Sequence, residues 1–108
     1  MIVFSLSVVV PSALRNEVIR TVGALLGPTR AMPGCLECRL YADYEDRNAF
    51  TLIEEWTSQE VLDRHLASDA YKTLVSAIEL STTPPQIHFD TVAQRAGLEV
   101  IAVARQSH

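Results

Sequence analysis

The stretch Phe50–Tyr71, FTLIEEWTSQEVLDRHLASDAY, changes its hydrophobic period once along its length, and that change decides the fold. From Phe50 to Trp56 the residues alternate, with Phe50, Leu52, Glu54 and Trp56 on one side, as a strand requires. Thr57-Ser58-Gln59-Glu60 then matches a capping box, in which the threonine hydroxyl takes the third residue's amide and the glutamate reaches back. Helical spacing follows. At about 100° per residue His65 falls roughly 40° from Val61, on the apolar stripe with Leu62 and Leu66, while Asp63 and Arg64 face away. Ser68 reads as a second cap, and Tyr71, Leu74, Val75 and Ile78 continue at i, i+3, i+4 and i+7. Thr83-Pro84-Pro85 stops the helix, because a residue before proline is pushed out of the helical region.

Working outward, Ile2, Phe4, Leu6 and Val8 alternate with Val3, Ser5, Ser7 and Val9 in a first strand. After Pro11-Ser12, residues Leu14, Val18, Val22, Leu25 and Leu26 follow helical spacing, with Gly27-Pro28 as the expected stop. Pro33-Gly34 turns the chain into an extended run from Cys35 to Tyr44, which pairs through the polar EDRN turn with Phe50–Trp56 as a hairpin. Ile87–Val92 reads as a fourth strand and GLEVIAVA, Gly97–Ala104, as a fifth. Two β-α-β units in tandem make a ferredoxin-like α+β fold: a split βαβ arrangement with an antiparallel sheet and the helices on one side. The expectation is one domain over residues 1–108, with residues 97–105 as a C-terminal strand or dimer arm. Val3, Val9 and Ile53 leave the uncovered sheet face half apolar, which predicts a homodimer closing two sheets into a dimeric α/β barrel.

The totals narrow the classes. Hydrophobic residues make up 48% of the 108, enough for a core without staples, and the net charge is −4. Lys72 is the only lysine, which argues against a nucleic-acid surface. The apolar start MIVFSLSVVVPS has no basic flank and reaches Pro11 well short of the ~20 residues that span a bilayer, so a cytoplasmic protein with no membrane partner is expected.

Cys35 and Cys38 show redox-like C-x-x-C spacing. In a regular strand they would stand ~10 Å apart on opposite faces, beyond disulfide reach, and no second pair completes a zinc site. They read as small packing hydrophobes. His65 is the better candidate for acid/base chemistry, set against a satisfied core histidine. Glu54 shares the face of Trp56 and must be paired, hydrogen-bonded or protonated there; it is a candidate pocket acid in contact with substrate, set against an ion pair with Arg39 of the neighbouring strand. Ser5 and Ser7, the polar positions of the first strand, are candidate substrate contacts, as is Tyr71 against its packing role. Phosphate-cradling, nucleophile-elbow and H-E-x-x-H motifs are missing, so no cofactor or metal is expected.

PGCLECRLY, FTLIEEW and TSQEVLDRHLASDAY together resemble the antibiotic biosynthesis monooxygenase family, which includes quinol monooxygenases, in element order over roughly residues 2–92. The resemblance implies a dimer, a pocket between sheet and helices, and cofactor-independent oxidation of a small aromatic or quinol-type substrate by O2. It implies His65 as the acid/base residue, Trp56 as a pocket wall and indole donor, and Tyr71 as a flanking aromatic. The haem-degrading branch carries an asparagine on the first strand, where this chain has Ser5 and Ser7, so haem cleavage is not expected. The competing readings are an isomerase or other acid/base enzyme on a small oxygenated metabolite, and a non-catalytic dimeric binding module.

Overall fold

The eight residues of β1 (Ile2–Val9) alternate strictly between buried and half-buried, and β3 and β4 pair with them on either side. A computed structural model describes residues 1–108. After a short 3₁₀ turn at Ser12–Leu14 come α1 (Arg15–Arg30), β2 (Cys35–Ala42), β3 (Ala49–Trp56), α2 (Gln59–Leu66), α3 (Asp69–Glu79), β4 (Gln86–Thr91) and α4 (Leu98–Ser107). The four strands form one antiparallel sheet in the order β2-β3-β1-β4. This is the ferredoxin-like α+β fold.

Register fixes which side chains meet. Ile2, Phe4, Leu6 and Val8 lie opposite Trp56, Glu54, Leu52 and Phe50, so one face of the sheet carries the apolar set. That face packs with Val18 and Val22 of α1 and Leu74 and Ala77 of α3 into the main core. A smaller cluster of Ile2, Trp56 and Leu62 seats α2. Gly34 is required where β2 begins: its φ is +89°, and a Cβ there would meet Val61 Cγ2 at 2.7 Å. Its carbonyl accepts the Thr57 amide at 2.9 Å, which clips the start of β2 to the end of β3.

Four expectations are corrected. α1 runs through Gly27-Pro28 to Arg30; glycine before proline has no Cβ to clash with the ring, so the bend that normally forces a stop is relaxed. Ser58, not Thr57, caps α2, accepting the Val61 amide at 3.4 Å. β2 carries a bulge between Cys35 and Glu37, so Cys35 stands opposite Trp56 and Cys38 opposite Glu54. The inserted Leu36 absorbs one alternation and both cysteines face the helices. Finally, the expected fifth strand is the helix α4. The Glu99 carboxylate takes the Gly97 amide at 2.8 Å, and Ala102, Ala104, Arg105 and Gln106 favour helix over the strand that Val100, Ile101 and Val103 suggest.

α4 packs on nothing within its own chain. Leu98, 77% exposed, and Val100, Ile101 and Val103 all face solvent. The radius of gyration is correspondingly 16.0 Å, against about 13 Å for a compact chain of this length. No helix is long and apolar enough to cross a membrane.

Candidate active site

Strand alternation puts Glu54 and Trp56 side by side on the helix-covered face, at the end of β3. The Trp56 indole N–H donates to Glu54 Oε1 at 3.0 Å. His65, in the last turn of α2, lays its imidazole on the indole with centroids 4.8 Å apart and planes at 28°. That stacking brings His65 Nε2 to 3.2 Å from the same carboxylate oxygen. The approach is that of a charge pair, but its angle falls short of a hydrogen bond, and neither ring nitrogen has a hydrogen-bond partner within the chain.

Local sequence explains the assembly. The Ser68 hydroxyl donates to the His65 carbonyl at 2.6 Å and the Ser68 amide to the same oxygen at 3.0 Å, which closes α2 and turns the chain into α3. Ser68 is therefore the N-cap residue of α3, but its side chain is spent on α2. The turn sets Tyr71 edge-on to His65, centroids 5.7 Å apart, and edge-on to Phe4 at 6.4 Å. From the hairpin partner strand, the Cys38 thiol reaches to 3.9 Å from Glu54 Oε2.

Electrostatics follow from burial. Glu54 is 2% exposed and His65 3%, and a charge at that depth must be answered by donors or a counter-charge. The indole N–H and the Cys38 thiol supply donors, and the imidazole lies 3.2 Å from the carboxylate without a hydrogen bond to it. Burial, reinforced by the Glu54 charge, pushes the Cys38 thiol up to about 12, so it stays an S–H donor at neutral pH. The same two causes raise the Tyr71 phenol above its ordinary value. A cavity of about 10 Å³ opens beside Glu54, His65, Tyr71, Thr29 and Cys38, close to the room one water molecule needs.

Of the residues singled out by sequence, Glu54, Trp56, His65 and Tyr71 meet here. Ser5 and Ser7 do not. They alternate with Phe4 and Leu6 and so lie on the open face, where Ser5 stands opposite Ile53 and His88 and the Ser7 hydroxyl pairs with that of Thr51 at 2.8 Å. Arg39 pairs with Glu37 on that open face and not with Glu54. Cys38 and Thr29 were missed as neighbours of the site. Cys38 faces the site by regular alternation with Leu40, opposite Glu54, whereas Thr29 arrives through the continuation of α1 past Pro28, which has no clear signal in the sequence.

The family model for antibiotic biosynthesis monooxygenases matches residues 1–77. The chain belongs to this family. Solved structures agree on the fold: a protein of Deinococcus radiodurans described as a candidate member of the family superposes with a TM-score of 0.82 at 16% identity, covering 91% of this chain and 98% of its own. Rv0793 of Mycobacterium tuberculosis gives 0.79 at 24% identity, covering 89% and 98%. An antibiotic biosynthesis monooxygenase of known crystal structure gives 0.77 at 23%, covering 87% and 100%. Among curated sequences the chain is similar to the uncharacterized protein sll1783 of Synechocystis, 26% identical over 81 residues, 74% of this chain. The chain spans about half the length of that relative, 55%.

Proposed function

We propose that the chain is a cytoplasmic, cofactor-independent monooxygenase-like enzyme that oxidises a small aromatic or quinol-type molecule with O2. The observation that carries this reading is His65: a buried imidazole with both nitrogens free of hydrogen bonds, beside a cavity and 3.2 Å from a buried carboxylate. Family membership and the naming of structural relatives as monooxygenases support it.

In this reading His65 takes the proton of a phenolic hydroxyl and Glu54 stabilises the imidazolium that results. The Trp56 N–H orients Glu54, and Tyr71 closes the pocket over the ring. The phenolate, held out of water, passes an electron to O2, and recombination of the radical pair forms a C–O bond. The O–O bond then breaks, one oxygen remains on the ring as a quinone carbonyl, and the other leaves as water.

A second reading, an oxygen-independent isomerase, is favoured by the same Glu54 and His65 pairing, because two acid/base groups in one pocket can move a proton between carbons. Oxygen-electrode measurement with a panel of hydroquinones separates them. Consumption of one O2 per quinone formed, with one ¹⁸O from ¹⁸O2 in the product and no H2O2 released, supports the monooxygenase chemistry; product without O2 uptake transfers the site to isomerisation; binding without turnover leaves a ligand-binding module.

We also propose that two copies associate through the open sheet face and the α4 arms. The apolar Val3, Val9 and Ile53 are only half covered there, and an isolated helix of ten residues is marginal in water without a partner. Sedimentation velocity tests this: a dimer is expected, and a variant with Val100 and Ile101 both changed to Ser shifts toward monomer.

A further inference from the structure

The cavity at His65 does not stand alone. A second void of about 20 Å³, lined wholly by apolar side chains, shares Val22, Leu52 and Leu74 with it. On the outer side of that void, Val18, Val22 and Ala77 also form the floor of an open groove of about 330 Å³ between α1 and α3. Val22 thus borders all three spaces. The two inner voids each hold about one water, whereas small-molecule seats run to several hundred Å³. Of these three connected spaces the groove alone has the size for a ligand's body.

The wall between groove and site is soft at one place. Gly23 and Gly27 lie within α1; a Cβ at Gly23 would meet nothing within 4 Å, so packing does not demand glycine there, while Gly27 stands directly before the Pro28 ring. What the two residues bring is a weaker helix. Pro28, one residue further, lacks the amide that would bond the Ala24 carbonyl. Leu25, Leu26 and Thr29, on this same segment, line the cavity at His65.

We propose that the groove between α1 and α3 seats the apolar body of the ligand. One slim hydrogen-bonding end passes between Val18, Val22 and Ala77 to Glu54 and His65 when the Gly23–Pro28 segment yields. The substrate class is then an amphiphile with a single polar end, not a molecule ringed with hydroxyls. The groove's apolar Leu14, Val18 and Leu80 match such a body, with Thr21, Thr73 and Ser76 among its polar residues. The proposal rests on Glu54 and His65 being the reacting end, and its test is built to fail separately.

Trp56 is the single tryptophan and stacks on His65, so its fluorescence reports arrival of a ligand. Stopped-flow titration with 4-alkylphenols and with 1-alkanols, methyl to heptyl, should show affinity rising roughly two- to fourfold per methylene. Ser76→Phe fills the groove from an exposed position, leaves Trp56 the single tryptophan, and should weaken the longer members at least ~10-fold. Gly23→Ala should raise the thermal midpoint by roughly 4 °C and slow association ~10-fold. Affinity independent of chain length, no quenching by either series, or a folded Ser76→Phe protein that binds as before overturns the groove. Unchanged association in Gly23→Ala overturns the yielding segment. If alkanols and phenols both bind with chain-length dependence while no phenol is oxidised, the groove stands and the oxidation reading falls. If hydroquinone turnover persists unaltered in Ser76→Phe, the reverse holds.

Discussion

Glu54 and Glu55 are adjacent carboxylates on one strand, and the sheet sends them to opposite worlds. Glu54 enters the helix-covered face, where it meets an indole N–H, a thiol and an imidazole and almost no solvent. Glu55 points to the open face, where it is itself only 7% exposed, pairs with Arg95, a residue with more than half its side chain in water, and lies beside Glu37. The lesson is that the period of two along β3 sorts chemistry as well as hydrophobicity. A carboxylate on the covered face is held by fixed, neutral, geometrically specific donors; its neighbour is held by a flexible cation that also ties the chain after β4 to the sheet.

The largest contrast should appear in thiol chemistry. With its acidity pushed up to about 12 from an ordinary 9.0, Cys38 should react with iodoacetamide about 10³-fold more slowly in the folded protein than in urea, before any steric shielding is counted. A cysteine placed on the open face by Tyr41→Cys should react at the free-thiol rate. Mass spectrometry of the labelled peptides decides it. Equal rates would mean that the two faces of β2 do not differ as described. Next in size, His65→Ala should lower hydroquinone turnover by at least ~100-fold, about 2.7 kcal/mol, while Glu55→Gln should leave turnover within about twofold. A folded His65→Ala protein with full activity removes His65 from the role of base.

How far this contrast was legible beforehand depends on the kind of signal. Alternation in β1 and β3 is a two-residue pattern, and it placed Phe50, Leu52, Glu54 and Trp56 together correctly. Helical spacing likewise turned His65 inward. The same alternation puts Ser5 and Ser7 opposite Phe4 and Leu6, away from the site, so that error lay in grouping residues by polarity before assigning faces. Other misses came from events that period cannot register. One inserted residue, Leu36, moved Cys35 and Cys38 to a shared face. A glycine before Pro28 let α1 continue and so brought Thr29 to the cavity. For α4, β-branched Val100, Ile101 and Val103 suggested a strand, but Ala102, Ala104, Arg105 and Gln106 favour the helix, which satisfies its own backbone.

Smaller but cleaner is the indole N–H. Trp56→Phe keeps most of the stacking surface on His65 and removes one donor from a buried carboxylate oxygen, so it should cost about 1–3 kcal/mol of stability. Urea unfolding followed by circular dichroism measures this. A cost near zero would mean that Glu54 finds another donor at once, and the picture of fixed donors on the covered face would have to be given up.

The smallest effect belongs to Glu55, and salt makes it diagnostic. The Arg95 hydrogen bond, followed by that from Glu37, holds the Glu55 carboxyl below its ordinary value of 4.5. A depressed folded-state value means the stabilisation is present above the unfolded value and is lost as pH falls through the folded one. The stability difference between the protein and Glu55→Gln should therefore be constant near neutrality and vanish in acid below pH 4.5. Because Arg95 is largely exposed, the pair should be worth under about 1 kcal/mol. Raising NaCl to about 0.5 M should shrink that difference, since screening reaches exposed charges within a few ångströms. The same salt should leave the Trp56→Phe cost unchanged, because mobile ions do not enter the covered face. If both respond alike to salt, the two carboxylates share one environment and the division of the sheet into a reactive and a tethering face is wrong.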